Sequence, residues 1–424
     1  MDKDKLILDN NKMSTEYDIL IVGAGLAGLH CALRLSHAYP KKRIAIAEAY
    51  NYIGGRVFTY KPNGFPSVHW ESGAGRIHTS HRKILSYIDQ YNLTTIPISS
   101  ETEFILENGK THGTLPTLYA TVLYTVSLLP AKILATYTLA EIILQIFGKE
   151  KADAFLHYYP YRAEVATLRA DLGLEAFKKE MGSSSFVVVK EGLGVLINSM
   201  VKSLKKRGVT FLLEHRLTGL STRDQMPMCL LFNKDKPLYA NRVILALHAE
   251  ALRGVTPFKE YSPLKHLTMC PLLRTYAIFP VVNGKSWFYN MPRIVTDSRL
   301  RHIIPVNQKK GVIMTSYTDS KDTEAWKNDS TLSKEIIGDL RKLLPEKKIP
   351  APLLFKSHLW NDGCSYWLPG MYDPAELSVK IMQPLPMRLP YLYVCGESYS
   401  MKQAWMEGAI EHAEAMLQKY FFHT

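Results

Sequence analysis

The 424-residue sequence is poor in cysteine and has no cysteine pattern: Cys31, Cys229, Cys270, Cys364 and Cys395 stand far apart, and no CxxC pair occurs. A disulfide-built scaffold is thereby excluded, and the thiols read as reduced, which points to the cytoplasm. Residues 1–17 carry charges but no apolar core, so no secretory signal is read there. Long charge runs are missing as well. Lys and Arg outnumber Asp and Glu by 52 to 39, a formal charge of +13, yet the densest basic clusters are Lys41-Lys42-Arg43 and Lys205-Lys206-Arg207. That reads as a solvated basic surface rather than a face for specific nucleic-acid binding. The sequence has no P-loop, no GxSxG elbow and no internal repeat, and His78 and His81 have no further ligand set, so no metal is expected. One stretch, 113–131, is uncharged for long enough to raise the question of a membrane span. Pro116, Pro130 and several Ser/Thr interrupt it, and it reads as a buried helical region.

What is present is a globular composition, 46% hydrophobic and 21% charged, in a chain long enough for two or three domains or one large interleaved unit. Residues 17–22 form a short apolar run ending at glycine, which reads as a buried strand. The spacing predicts a helix over 26–37 and a second strand over 43–47, a β-α-β unit of a parallel sheet. Helical spacing dominates 84–181. Strands are expected at 186–190, 209–214, 229–232, 242–247, 275–282, 312–316 and 391–394. Helices are expected at 193–204, stopped by basic residues and Gly208, and at 405–420.

The motif Gly23-Ala24-Gly25-Leu26-Ala27-Gly28 falls between the first strand and its helix. There the first glycine allows a tight turn, the second admits a pyrophosphate to the backbone, and the third lets the helix pack on the strand. Glu48 stands at the end of the second strand, where a carboxylate accepts hydrogen bonds from ribose hydroxyls and repels a 2′-phosphate. Gly54-Gly55-Arg56 follows, with two glycines and a cation suited to a pyrophosphate. Taken together, these residues resemble the N-terminal signature of the FAD-dependent amine oxidase family, which includes monoamine, polyamine and L-amino-acid oxidases. The C-terminal Cys395-Gly396-Glu397 and the segment 404–409 resemble the family's closing strand, loop and helix. The resemblance implies that Gly396 and Glu397 lie near the ribityl and pyrophosphate part of FAD. It implies that Met406 and Ala409, at a helix start, face the flavin pyrimidine, and that Leu217 contacts the adenine.

The resemblance also implies a substrate site. Gly73-Ala74-Gly75-Arg76 looks most like the turn of L-amino-acid oxidases that lies against the flavin and whose arginine clamps the substrate α-carboxylate. The other reading of Arg76 is a bond to the pyrophosphate or to a neighbouring acid. Trp405 matches an aromatic that walls the reacting carbon, and Tyr366, beside Trp367, is a candidate for the facing wall; ordinary core packing is the other reading of each. Cys364 falls near the position where monoamine oxidases carry a flavin-linked cysteine, and a thiol that is merely buried nearby is the alternative. Arg274 stands where the family usually has a lysine bonded through water to the flavin N5. Arginine holds a water but does not readily give up a proton.

The fold class expected is therefore α/β: a Rossmann-like FAD-binding domain at 14–83, 186–262 and 355–424, with an inserted substrate domain of antiparallel sheet plus helices at 84–185 and 263–354. The implied reaction is oxidation of an L-amino acid or primary amine, with hydride passing from Cα to flavin N5. The imine is hydrolysed to a keto acid or aldehyde plus ammonia, and O2 leaves as H2O2. Two alternatives stay open. One is an FAD-dependent desaturase or isomerase of an apolar substrate, which the apolar aromatic stretch 119–161 would suit. The other is a flavin-binding interaction protein without turnover. Oligomeric state is not specified by the sequence, and a homodimer is compatible with it.

Overall fold

Residues 17–22 organise the molecule because every side chain after Asp18 in that strand is apolar and buried. Tyr17–Val22 pairs in parallel with Ile44–Ala47 on one side and with Leu238–Leu245 on the other. Short runs buried on both faces are what a helix-covered parallel sheet requires. The sheet continues to Thr210–Leu212 at one edge. Beyond Leu238–Leu245 it carries Leu392–Val394 in parallel and, antiparallel, Met228–Phe232 and then Leu217–Leu220. On one face, helices Leu26–Ala38, Leu193–Lys206 and Met406–Leu417 close a core around Leu29, Leu196 and Ile410. The other face buries Leu20, Val243 and Leu245 with Phe258, Trp367 and Tyr399. The computed structural model describes residues 16–107, 115–159, 161–181, 186–221, 227–234, 236–326 and 330–422.

A second sheet runs in the order Leu354–Trp367, Leu267–Ile278, Val312–Asp319, His302–Asn307, Arg293–Thr296 and Thr102–Ile105. Its pairs are antiparallel except the last, which is parallel. Helix Leu332–Leu343 packs Ile336 and Leu340 against Phe279, Ile303 and Ile313. Helices Leu115–Ser127, Leu139–Tyr158 and Ala170–Met181 share an aromatic core in which Tyr119 meets Phe155 and Phe177 edge-on. Helix Leu139–Tyr158 opens on a reciprocal cap between Thr138 and Glu141. The α/β class expected from the sequence is what the strand pairing shows.

Three expectations are corrected. Leu354–Trp367 pairs along its length with Leu267–Ile278, so 355–367 lies in the second sheet and not with the dinucleotide unit. Its Asn361-Asp362-Gly363 forms a bulge opposite Pro271, where the register shifts between Cys270 and Leu272. Phe186–Val189 belongs to neither large sheet: it joins Ile77–His78 and Thr95–Pro97 in a small one. The uncharged stretch 113–131 is buried on one side only. Tyr119, Val122 and Val126 are inside, whereas Tyr124 and Leu128 are 68% and 66% exposed. Residues 113 and 114 of that stretch, and 1–15 of the N-terminal one, lie outside the described residues. Among the described residues no helix is long and apolar enough to cross a membrane.

Candidate active site

Val22, Glu48, Ala246 and Leu247 stand at the C-terminal ends of the central parallel strands and line a cavity of about 920 Å³. Clefts of open α/β sheets form there because the connecting turns diverge to either face. A Cβ on Gly28 would stand 2.0 Å from the Gly23 carbonyl oxygen, so only glycine lets the helix lie this close to its own turn. Around Gly25 the reverse holds: no atom is within 4 Å of a Cβ built there, and no side chain caps the helix that begins at Leu26. Its first N–H groups are left to a ligand or to solvent.

Glu48 is held at the cavity wall by two backbone donors, Ala24 N–H at 2.8 Å to Oε2 and Tyr50 N–H at 3.0 Å to Oε1. A carboxylate has about four lone-pair sites, so acceptor capacity remains for hydroxyl groups. Gly54 N–H donates to Ala24 O at 3.0 Å and brings the second glycine pair onto the first turn. Arg56 donates to Glu397 Oε2 at 2.6 Å and to Gly363 O at 3.0 Å. Glu397 also accepts from Ser365 Oγ at 3.0 Å and Ala404 N–H at 2.5 Å. This one carboxylate thus gathers the glycine–arginine turn, the long strand and the approach to the closing helix. That helix begins at Met406, again without a side-chain cap.

At the other end the wall is side chain. The Arg76 guanidinium lies 5.0 Å from the Phe186 ring centroid, 5.4 Å from Tyr161 and 5.7 Å from Trp405. Trp405 stacks on Phe186 at 5.8 Å and meets His81 edge-on at 5.0 Å. Two devices bring these together. His78 is the register partner of Phe186, which sets Phe186 beside the strand that follows Arg76. Glu407, 1% exposed, accepts the N–H groups of Lys83 and Ile84 at 3.0 Å each, tying that segment to the helix behind Trp405. The Gly73–Gly75 turn is pinned by Trp360 Nε1 to Ser72 O at 2.8 Å, by Ala74 N–H to Arg56 O at 2.9 Å and by Arg274 to Gly73 O. Arg274 also lies 4.8 Å from the Tyr317 ring centroid.

Burial sets the titration of the groups around this end. Asp319 is pushed up to about 7, as is Glu71 beneath the glycine turn. The Cys364 thiol is pushed up to about 12 by burial and by the Glu397 carboxylate beside it. Burial likewise raises Tyr317 and Tyr366 well above the usual phenol range.

Most of the residues singled out in the sequence meet in this one cavity: Gly23, Gly25, Leu26, Glu48, Gly55, Arg56, Gly75, Arg76, Leu217, Arg274, Tyr366, Gly396, Glu397, Trp405, Met406 and Ala409 line it. Ala24 and Gly28 do not. Ala24 is fully buried and spends both backbone groups on Glu48 and Gly54, and Gly28 packs against Gly23. Arg56, expected to meet a pyrophosphate, has both terminal nitrogens on protein acceptors. Sequence reading missed Tyr161, Phe186, Tyr317, Asp319 and Glu407. For Tyr317 and Asp319 a signal existed: the strand read as 312–316 runs on to Asp319, and its two-residue alternation puts both side chains on one face.

The sequence matches the family described as "Flavin containing amine oxidoreductase" over residues 26–415. Aplysianin-A of Aplysia kurodai is 22% identical over 97% of this chain and 92% of its own. A putative L-amino-acid oxidase of Bacillus subtilis, YobN, is 22% identical over 93% of this chain and 92% of its own. Among solved structures, a triple mutant of putrescine oxidase superposes with a TM-score of 0.77 at 15% identity, over 96% of this chain and 99% of that one.

Proposed function

Because the chain belongs to the flavin-containing amine oxidoreductase family, we propose that it binds FAD in this cavity and oxidises the amine of an L-amino acid or primary amine, with O2 as final acceptor. The residues fit such a group. Two helix N-termini without side-chain caps border the same cavity, the Gly25 backbone is open to it, and the Glu48 carboxylate is fixed at its wall. FAD, when bound, supplies the acceptor for the hydride from Cα and passes the electrons to O2.

The chain's own residues do the rest. The N–H groups after Gly25 meet phosphate oxygens, and Glu48 accepts from ribose hydroxyls. Leu217 borders the adenine side, and Gly396 and Glu397 the middle of the cofactor. The N–H groups from Met406 to Ala409 present the positive end of a helix to the isoalloxazine. Arg76 takes the substrate carboxylate through two parallel hydrogen bonds, because a guanidinium stays charged where an ammonium would lose its proton. Trp405 and Tyr366 wall the reacting carbon and exclude water, which holds the amine in one orientation. Arg274, anchored on Gly73 and Tyr317, holds a water without giving up its own proton. Cys364 at about 12 is a poor thiolate, which supports a flavin held without a covalent bond.

The observation that carries this reading is Arg76 set among Tyr161, Phe186 and Trp405 at the cavity wall. The test is a peroxide-coupled screen of the common L-amino acids and simple primary amines on purified holoprotein. Peroxide formed with an L-amino acid, and lost in Arg76→Ala, is the expected result. Bound flavin without peroxide from any of them would contradict it.

A further inference from the structure

We propose that the end of the parallel sheet opposite the cavity binds the phosphate backbone of double-stranded nucleic acid, whatever its sequence, through Lys202, Lys205, Lys206 and Arg207 together with Lys41, Lys42 and Arg43. The proposal is independent of the amine-oxidase reading and concerns a surface which that reading leaves unused. In the sequence these residues form the two densest basic clusters, far apart along the chain. The fold joins them. Lys41-Lys42-Arg43 leads into strand Ile44–Ala47, and Lys205-Lys206-Arg207 leads through Gly208 and Val209 into strand Thr210–Leu212. The two strands pair in parallel with Ala45 opposite Thr210, so both triplets enter side by side at the N-terminal end of the sheet. The Arg207 guanidinium donates to His37 Nδ1 at 3.3 Å, which ties the end of helix Leu193–Lys206 to the end of helix Leu26–Ala38.

All seven cations are exposed. Among the described residues one carboxylate pairs with them: Asp18, 3.4 Å from Lys42 and 3.7 Å from Arg43. Lys41, Lys202, Lys205, Lys206 and Arg207 have no ion pair there. Lys205 and Lys206 lie in the last turn of their helix, where cations favour its dipole. Lys202 stands a turn earlier and Lys41 beyond the other helix, so the dipole does not account for the cluster. Lys202, Lys205 and Lys206, at i, i+3 and i+4, share one helix face and line a shallow groove of about 500 Å³ with Asn198 and Val201.

The chemistry selects the partner. Like charges held this close repel one another, and a polyanion relieves that repulsion and releases its own counterions. Five of the seven cations are lysines, which meet phosphates as point charges rather than through the two-pronged geometry that suits a protein carboxylate. The groove has no aromatic side chain on which an unpaired base would stack, so a duplex fits it better than a single strand. Surfaces that enter a bilayer add apolar side chains to their basic ones. Among the described residues, no large apolar side chain is exposed at 26–43 or 193–212.

The test is fluorescence anisotropy of a short labelled DNA duplex of mixed sequence, titrated with the purified protein between about 50 and 200 mM salt. The logarithm of the association constant is expected to fall linearly with the logarithm of salt concentration, with a slope of about −5, roughly −0.9 for each phosphate neutralised. Lys202→Gln, Lys205→Gln and Lys206→Gln together should make the slope shallower by about 3 and weaken binding alike for every sequence. Lys309→Gln, Lys347→Gln and Lys348→Gln, exposed residues outside the parallel sheet and its helices, remove the same charge and should leave the slope in place. Equal effects of the two variants would assign the binding to net charge and overturn the proposal. Should the first variant not fold, Lys41→Gln with Lys205→Gln is expected to lower the slope by about 2, and an unmoved slope overturns the proposal. A duplex left unbound at about 50 mM salt, or outcompeted by vesicles containing phosphatidylserine, overturns it as well.

Discussion

At the end where the nucleotide is proposed to bind, the cavity wall is backbone; at the end where the substrate is proposed to bind, it is side chain. The first is made by two glycine turns and two uncapped helix starts, held by Glu48 and by the Arg56–Glu397 pair. The second is made by Arg76, Tyr161, Tyr317, Asp319, Tyr366 and Trp405, which come from five separate stretches of chain, with Phe186 packed against Arg76 and Trp405. Backbone walls recognise what all dinucleotides share and tolerate little change in volume. Side-chain walls recognise what distinguishes one substrate from another, and each residue can be exchanged with the fold kept. Mutations at the first end should therefore remove cofactor and stability together, and those at the second should redistribute kcat and KM.

The largest effect is expected at Gly28. Its Cβ would already meet the Gly23 carbonyl at 2.0 Å, so Gly28→Val should abolish flavin uptake, read from the visible absorbance of purified protein after addition of FAD. Uptake at the wild-type level would break the contrast between the two ends. Next comes Arg76→Ala. Losing two charge-assisted hydrogen bonds is worth about 3 kcal/mol, or roughly 100-fold in kcat/KM for amino acids. Flavin content should stay near the wild-type level, and Arg76→Lys should recover only part of the loss. An unchanged kcat/KM would remove Arg76 from carboxylate binding. For Trp405→Ala a rise in KM of about tenfold is expected from the lost ring face against Arg76; steady-state kinetics with one good substrate decides it.

A smaller effect is expected in stability. The Asp319 carboxyl is raised from 3.8 to about 7, chiefly by burial and further by Asp322, against the opposing Ala163 N–H, Arg301 and Arg162. The folded state thus binds this proton more tightly than the unfolded chain does. Its contribution is present in full below the unfolded value and is lost as pH rises through about 7. Asp319→Asn removes that loss, so its Tm should gain on the wild type by a few degrees between pH 5 and pH 8. A constant Tm difference across that range would mean that Asp319 is not titrating. Smallest of all is Cys364→Ser. If the flavin is not bonded to this thiol, acid precipitation should release it equally from both proteins; flavin retained in the wild-type pellet alone would show a covalent link.

The same contrast explains what could be read in the sequence. Glycine turns and a strand-end carboxylate are local, and their geometry admits few residue types, so Gly23, Gly25, Gly28, Glu48 and Gly55 stood out unaided. The closing helix was legible too, because its apolar spacing is unbroken. The substrate wall is non-local. Phe186 reaches Arg76 only through a small sheet joining residues 77–78, 95–97 and 186–189. Strand Leu354–Trp367, which carries Tyr366, is interrupted by Asn361-Asp362-Gly363, residues of turn type that here form a bulge inside a ladder. Glu407 looks like any helix carboxylate until the N–H groups of Lys83 and Ile84 are found on it.

Anaerobic titration of the flavin-loaded protein with an L-amino acid tests the central claim most directly. Bleaching of the visible absorbance, with keto acid and ammonia formed in step and colour and peroxide both appearing when air is admitted, is the predicted result. Colourless protein that takes up no FAD, or bound flavin that no amino acid or amine bleaches, would contradict it.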